Sequence, residues 1–269
     1  MTNGRPEFFN DAKKRMLRRR DVYDFDRGAG VEDTDAYMRG IVEKMRRNKK
    51  DGYGFVDTGL VGLAGKPIPE DLGDRIIESI VENMDKECVV TGDVVVIFST
   101  NGGGDYTGHF EKVAGPLAQA MLDDAFSIKR VVIPLSMAQQ KLGGVRPPKE
   151  DHAAVMCIDT RDKKKFQVIV LEQWASNDGG KLDFSKEVGK IAGWTKWMLE
   201  SQGADVSVKI NSVPFCDTQR VCGVVQARTA EQLLLAAEPA RLVDNIKPIR
   251  PEKIQKQMYA NAAAKKGME

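Results

Sequence analysis

A histidine, a glutamate and a cysteine stand in this order along the chain, and together they could carry out nucleophilic catalysis. His152 begins the segment "HAAVMCIDTR", Glu172 lies within "FQVIVLEQW", and Cys222 follows "DTQRV". An imidazole that is oriented by a carboxylate can take the proton of a thiol, and the resulting thiolate can attack an acyl carbon. The three side chains are therefore a candidate catalytic triad, provided that the fold brings them together.

The segments around His152 and Glu172 predict a β-hairpin. Both are rich in β-branched and apolar residues, and the polar run "DKKK" between them is typical of a turn. His152 stands at the start of the first predicted strand, and Glu172 stands near the end of the second. Because those two ends lie side by side in an antiparallel pair, the carboxylate can reach the imidazole across the ladder.

Cys222 begins the segment "CGVVQARTAEQLLLAAE", whose apolar residues have helical spacing. We therefore predict a helix with Cys222 at its N-terminus. The unpaired N–H groups and the dipole at this end favour a thiolate, and the same N–H groups could stabilise an oxyanion. Cys216 lies in the preceding loop, and we assign it to the wall beside the nucleophile.

Other elements must position these residues. Short β-branched or alternating runs predict three further strands, at Asp93–Thr100, Lys129–Ser136 and Asp205–Val213. The segment "SKEVGKIAGWTKWMLESQG" predicts an amphipathic helix, with Gly203 as its C-terminal stop.

The first part of the chain differs in composition from the rest. Residues 1–52 contain the basic runs "KKRMLRRR" and "KMRRNKK" around the acidic "VEDTDAY". Blocks of like charge predict a flexible or loosely helical leader, and a basic arm that binds phosphates or acidic partners is the alternative. Residues 53–269 are predicted to form a catalytic domain with a helical C-terminal tail.

Composition argues against several classes of protein. The net charge of the 269-residue chain is only +2, so no overall field favours nucleic acid as a partner. The chain has no apolar run of about 18 residues, so no transmembrane segment is expected. The polar start Met1–Asn10 lacks the apolar core of a Sec signal.

The chain has two histidines and no C-x-x-C pair, which argues against a metal site. Four cysteines are too few for a disulfide framework, and Cys88 and Cys157, which fall in apolar runs, are predicted to be buried.

Three segments resemble the YopJ family of bacterial effector acetyltransferases, within the Ulp1-like cysteine protease clan. They are "HAAVMCIDTR", which ends in a D-x-R pattern at Asp159 and Arg161, "VIVLEQWAS", and "DTQRVCGVV". The resemblance covers about residues 90–240. It implies the Ulp1-like cysteine protease fold, an α+β fold in which helices pack on a central mixed or antiparallel sheet, and a His-Glu-Cys triad.

The resemblance also implies a function. Acetyl-CoA would be the acyl donor, and a Ser, Thr or Lys side chain of a host protein would be the acceptor. Inositol hexakisphosphate would be an activator bound by basic side chains, for which the candidates are Lys247, Arg250, Lys253 and Lys256; a solvated basic tail explains these four residues equally well. As an effector, the protein would be secreted by a non-Sec route into the cytosol of a host cell.

Two positions depart from the pattern of the clan. Where the clan has a glutamine for the oxyanion hole this chain has Cys216, and the nearest glutamine is Gln219. Either the loop is shorter and Gln219 takes that role, or Gln219 does not contribute to the oxyanion hole. Proteases of the clan often have Trp directly after the histidine, whereas Ala153 follows His152 here, which favours the acyltransferase branch. The alternatives are a deubiquitinase or ubiquitin-like-protein protease with the same triad, and a non-catalytic effector that binds a host protein.

Overall fold

A computed structural model of the chain describes residues 31–48, 52–56, 81–92, 94–99, 121–123, 127–140, 151–162, 165–173, 184–201, 203–211, 215 and 222–250. These residues form one mixed β-sheet with helices on both faces. The predicted α+β class with a central mixed sheet is confirmed.

The described part of the sheet has seven strands. They are β1 (Tyr53–Val56), β2 (Cys88–Thr91), β3 (Val94–Ser99), β4 (Arg130–Gln140), β5 (Asp151–Asp159), β6 (Phe166–Glu172) and β7 (Val206–Ile210). Their order is β1-β2-β4-β5-β6-β7, and β3 pairs with the later residues of β4. The pairs β4/β5 and β5/β6 are antiparallel, and the remaining pairs are parallel. The predicted hairpin is therefore present as β5 and β6.

Helices cover the two faces of this sheet. The described helices are α1 (Val31–Arg47), α2 (Phe184–Ser201), α3 (Cys222–Leu235), a 3-10 turn at Pro239–Arg241, and α4 (Leu242–Asn245). Helix α2 ends as predicted, because Gly203 adopts a positive φ of 95° that favours glycine. None of the described helices combines the length and the apolar character that a bilayer crossing requires.

Alternation along the strands divides the core into two layers. Met156 and Ile158 of β5 pack in the layer beneath α2. Val155 and Cys157 pack on the opposite face, in the layer that α1 and α3 cover. Helices α2 and α3 thus pack on opposite faces of the sheet, and both contact the central strand β5.

Helix α1 belongs to this second layer, whereas residues 1–52 were predicted to be a flexible or loosely helical leader that does not pack on the core. Met38, Val42 and Met45 are buried among residues of β2, β5 and α3. Arg46 also binds the helix to β1, because its Nε donates to the carbonyl oxygen of Tyr53 at 3.1 Å. The charged residues of α1 had suggested solvation, and those between Arg39 and Arg47 are indeed exposed on its outer side. Residues 31–47 are a packed helix.

Met38→Ala is accordingly expected to lower the free energy of unfolding by about 2–5 kcal/mol, since it leaves a cavity in the second layer. Met38 is 1% exposed, so its side chain is fully surrounded. The measurement is urea denaturation. The control is Arg47→Ala on the same helix, because the side chain of Arg47 is 81% exposed. Equal midpoints for Met38→Ala and the wild type would show that α1 does not contribute to the core.

Candidate active site

The strand register brings the backbones of His152 and Glu172 close together. Glu172 is the direct cross-strand partner of Ala154, two residues after His152 in β5. His152 itself pairs with Met137 of β4 on the other side. Diagonal positions of this kind lie about 7–8 Å apart, within reach of long side chains. The side chain of His152 lies outside the described residues, so its contact with Glu172 stays a prediction.

Cys222 is the first residue of α3, as the sequence predicts. The direction of this helix follows from its far end, where Arg130 Nη1 donates to the carbonyl oxygen of Ala236 at 2.8 Å. Arg130 begins β4 and pairs with Asp159 at the end of β5. The 14 residues of α3 span about 20 Å at the usual helical rise, and the helix packs along β4 and β5. Its N-terminus with Cys222 therefore lies toward the end of the sheet where β5 begins.

Glu172 and the beginning of α3 lie at this end of the sheet on opposite faces. The cross-strand partner of Glu172, Ala154, belongs to the layer beneath α2. Val225 of α3 packs in the other layer, with Leu171 of β6. A contact between the acid and the helix that begins at Cys222 must therefore be made around the end of the sheet. The side chain of Cys222 lies outside the described residues, and the complete triad stays a prediction.

The other predicted site residues divide into two groups. Cys216, Gln219, Lys253 and Lys256 lie outside the described part of the chain. Lys247 and Arg250 are described, and both are exposed on the segment after α4. Between them Ile249 is buried, and its N–H donates to the carbonyl oxygen of Phe215 at 3.0 Å. The segment that carries these two cations is thus bound to the residue directly before Cys216.

The end of β6 is held by residues that the sequence analysis did not single out. Glu172 is 2% exposed, and its backbone forms two hydrogen bonds with the side chain of Asn211. One residue later, the carbonyl oxygen of Gln173 accepts a hydrogen bond from the N–H of Phe215 at 3.1 Å. The chain after β7 is therefore joined to the end of β6 at two consecutive residues. An asparagine that ends an alternating strand was the available signal for the first contact.

The D-x-R pattern lies at the opposite end of α3 from Cys222. Arg161 binds the Asp159 carboxylate through Nε at 3.0 Å and through Nη2 at 2.7 Å. Arg130 contacts the same carboxylate through Nη2 at 3.5 Å. The side chains of Arg130 and Asp159 are 8% and 7% exposed, so this ion pair is buried.

The two arginines of this cluster also bind carbonyl groups at the end of α3 and in the two residues that follow it. Arg130 Nη1 donates to the oxygens of Leu233 and Leu234 at 3.2 Å each, in addition to that of Ala236. Arg161 Nη1 donates to the carbonyl oxygen of Ala237. The last carbonyl groups of an α-helix have no partner within it, and cations are favourable at this end of the dipole. The cluster therefore anchors the helix that begins at Cys222 rather than contributing to the site.

The two cysteines whose side chains the structure describes are part of the core, as predicted. Cys88 and Cys157 are free thiols and are 6% and 0% exposed. Burial raises the pKa of Cys88 to about 12, and burial also raises the pKa of Cys157. Both are therefore protonated at neutral pH and unsuited to nucleophilic attack. Among the described residues, no group of three or more His, Cys, Asp and Glu side chains could hold a metal ion.

Comparisons with known proteins find similarity only among solved structures. No protein-family model matches the sequence, and no curated protein matches it. XopD of Xanthomonas campestris, in a complex with ubiquitin, has a TM-score of 0.41 at 11% identity and covers 87% of this chain and 90% of its own. RavZ of Legionella pneumophila has a TM-score of 0.40 at 10% identity and covers 54% of this chain and 41% of its own. A protease of ASFV has a TM-score of 0.32 at 13% identity and covers 46% of this chain and 42% of its own.

These proteins include effectors and a protease by their descriptions, and this chain spans less than half the length of RavZ and of the ASFV protease. Since all three TM-scores lie below 0.5, the likeness decides neither the activity nor the substrate of this chain.

Proposed function

We propose that the protein is a cysteine enzyme of the Ulp1-like clan that forms a thioester between Cys222 and an acyl group of its substrate. The observation that carries the proposal is the position of Cys222, which begins α3 at the end of the sheet where His152 and Glu172 occupy diagonal positions. In this scheme His152 takes the thiol proton, and Glu172 orients and stabilises the imidazolium. The N–H groups in the first turn of α3 would bind the oxyanion.

Two acyl groups fit this first step, and they define two functions. In a protease the acyl group is the carboxyl terminus of ubiquitin or a ubiquitin-like protein. The leaving amine takes the proton from His152, and water then hydrolyses the thioester. The ubiquitin bound to XopD identifies the modifier to test first. The target of such a protease would be a modified protein of a host cell, which the effector would reach by a non-Sec route.

The second function is acetyl transfer from acetyl-CoA to a Ser, Thr or Lys side chain of a host protein. A specific feature favours it: Ala153 is a small residue, 4% exposed, directly after His152, where proteases of the clan often have Trp. The free CoA thiol leaves in the first step, and the acceptor side chain takes the acetyl group in the second. Cys216 would form part of the wall of the site, and the side chain of Gln219 would donate to the oxyanion.

Inositol hexakisphosphate would act as an activator in this second function. Lys247 and Arg250 suit a phosphate ligand, because both are exposed cations on a segment that is anchored by Ile249. Lys253 and Lys256 would complete the set. When bound, the ligand would neutralise these side chains and tighten the segment that is joined to Phe215.

One experiment separates the two functions. The protein is incubated in parallel with acetyl-CoA and with ubiquitin that carries an electrophile at its C-terminus, and each product is analysed by mass spectrometry. An acetyl group on Cys222 supports the acetyltransferase, and a ubiquitin adduct on Cys222 supports the protease. A protein that is folded but gives neither product, also with other ubiquitin-like probes, would be a non-catalytic effector.

The orienting role of Glu172 makes a further prediction. Glu172→Gln is expected to leave the melting temperature close to that of the wild type and to lower the single-turnover rate by up to about 10⁴-fold, because the amide does not stabilise the imidazolium. Glu200→Gln, the same chemical change at an exposed residue of α2, is the matched control. If Glu172→Gln reacts at the wild-type rate, the residue has no part in the mechanism.

A further inference from the structure

The parallel ladder between β6 and β7 ends just before Glu172. Its last register pair is Val170 with Ile210. The N–H of the next residue, Asn211, donates to the carbonyl oxygen of Val170 at 3.3 Å. At Glu172, beyond this point, a side chain takes over the role of a neighbouring strand.

The side-chain amide of Asn211 pairs with the backbone of Glu172 as a second peptide group would. The N–H of Glu172 donates to Oδ1 of Asn211 at 2.7 Å, and Nδ2 of Asn211 donates to the carbonyl oxygen of Glu172 at 2.8 Å. Asn211 is 4% exposed and Glu172 is 2% exposed. Because water has little access to either residue, loss of the amide would leave two buried backbone groups without these partners.

We propose that Asn211 is a positioning residue that sets the direction of the Glu172 side chain. Bonds to both the N–H and the C=O of one residue fix the peptide planes on either side of its Cα atom, and these planes determine where the Cα–Cβ bond points. The inference deepens the proposed function and rests on it, since it concerns the acid that orients His152. It assigns a role to the residue directly after β7, a strand that contributes no member of the triad.

The chemistry of the contact explains why asparagine is needed. A planar amide offers one acceptor and two donors at the end of a short side chain. Aspartate has almost the same shape but no donor for the carbonyl oxygen of Glu172, and glutamine is longer by one methylene. Asn211→Asp therefore removes one of the two bonds, whereas Asn211→Ala removes both.

The first test is the rate at which Cys222 forms its adduct with the probe that reacts with the wild type, measured per folded molecule. Asn211→Ala is expected to lower this rate on the order of 10²-fold, the size of effect that a misplacement of about 1 Å can have. Thr195→Ala is the control, because it also removes a buried side-chain hydrogen bond, from Oγ1 to the carbonyl oxygen of Ile191. That variant should lose stability but keep the wild-type rate.

A double-mutant cycle separates positioning from general destabilisation. In a Glu172→Gln background, adding Asn211→Ala should lower the rate little further, since Asn211 acts through Glu172. If the two effects on the rate multiply, the positioning role is wrong. Should Asn211→Ala fail to fold, Asn211→Asp replaces it in the cycle, because it keeps the volume and one of the two bonds.

The reactivity of the wild type distinguishes a failure of the proposed function from a failure of the role proposed for Asn211. If Cys222 of the wild type reacts with no probe, the proposed function is wrong, and so is the positioning role of Asn211. A reactive wild type together with an equally reactive, folded Asn211→Ala variant overturns this inference alone. Hydrogen exchange gives an independent readout: the amide of Glu172 should lose protection in Asn211→Ala and keep it in Thr195→Ala.

Discussion

Cys222→Ala is expected to abolish turnover, with a loss on the order of 10⁶-fold, the size seen when the nucleophile of a triad is removed. Cys216→Ala, six positions earlier in the sequence, should retain much of the activity. The difference arises because Cys222 begins α3, where the unpaired N–H groups and the helix dipole favour a thiolate. Cys216 has the same side-chain chemistry, so it is the matched control.

Mass spectrometry after labelling gives the decisive measurement for this pair. The adduct should be on Cys222 in the wild type and in Cys216→Ala, and it should be missing in Cys222→Ala. Cys88 and Cys157 should stay unlabelled while the protein is folded, because both thiols are buried and protonated. An adduct on Cys216 alone would reverse the assignment of the nucleophile.

Asp159→Ala is expected to lower the free energy of unfolding by about 3–5 kcal/mol, the usual cost of removing one partner from a buried ion pair. The carboxylate lies between two guanidinium groups, those of Arg130 and Arg161. Without this carboxylate, the positive charges of the two arginines face each other, and that of Arg130 is buried, with a side-chain exposure of 8%. The same arginines hold the last carbonyl groups of α3, so the far end of that helix should loosen as well.

Urea denaturation measures this loss, and an exposed ion pair provides the control. Asp85 contacts Lys86 on the surface and has a side-chain exposure of 66%. Asp85→Ala should leave the unfolding midpoint unchanged, because an exposed pair is screened by solvent. If Asp159→Ala were no more destabilising than Asp85→Ala, the D-x-R pattern would not anchor α3.

The elements next to the candidate site could be predicted because their signals are local. The hairpin of β5 and β6 follows from two β-branched runs around a short polar turn, and its ladder has the expected antiparallel register. The start of α3 at Cys222 follows from the spacing of its apolar residues. Gly203 ends α2 through its own backbone conformation. In each case the interactions that produce the structure join residues close in the chain.

The burial of α1 was not predictable in the same way. Its sequence has many charges, and its buried residues, Met38, Val42 and Met45, contact strands and a helix far along the chain. The short strands β1 and β2 are stabilised by pairing with each other and with β4, not by a strong pattern of their own. Tertiary packing supplies the free energy that local propensity lacks.

The sequence establishes the order of His152, Glu172 and Cys222 and the type of element that carries each of them. The end of the sheet at which α3 begins depends on Arg130, which binds carbonyl groups more than 100 residues later, at separations of 103 to 106. The support of Glu172 depends on Asn211, at a separation of 39. A polar side chain could form hydrogen bonds with many partners at such sequence separations. The packing of the sheet and its two layers determines which of these partners it contacts.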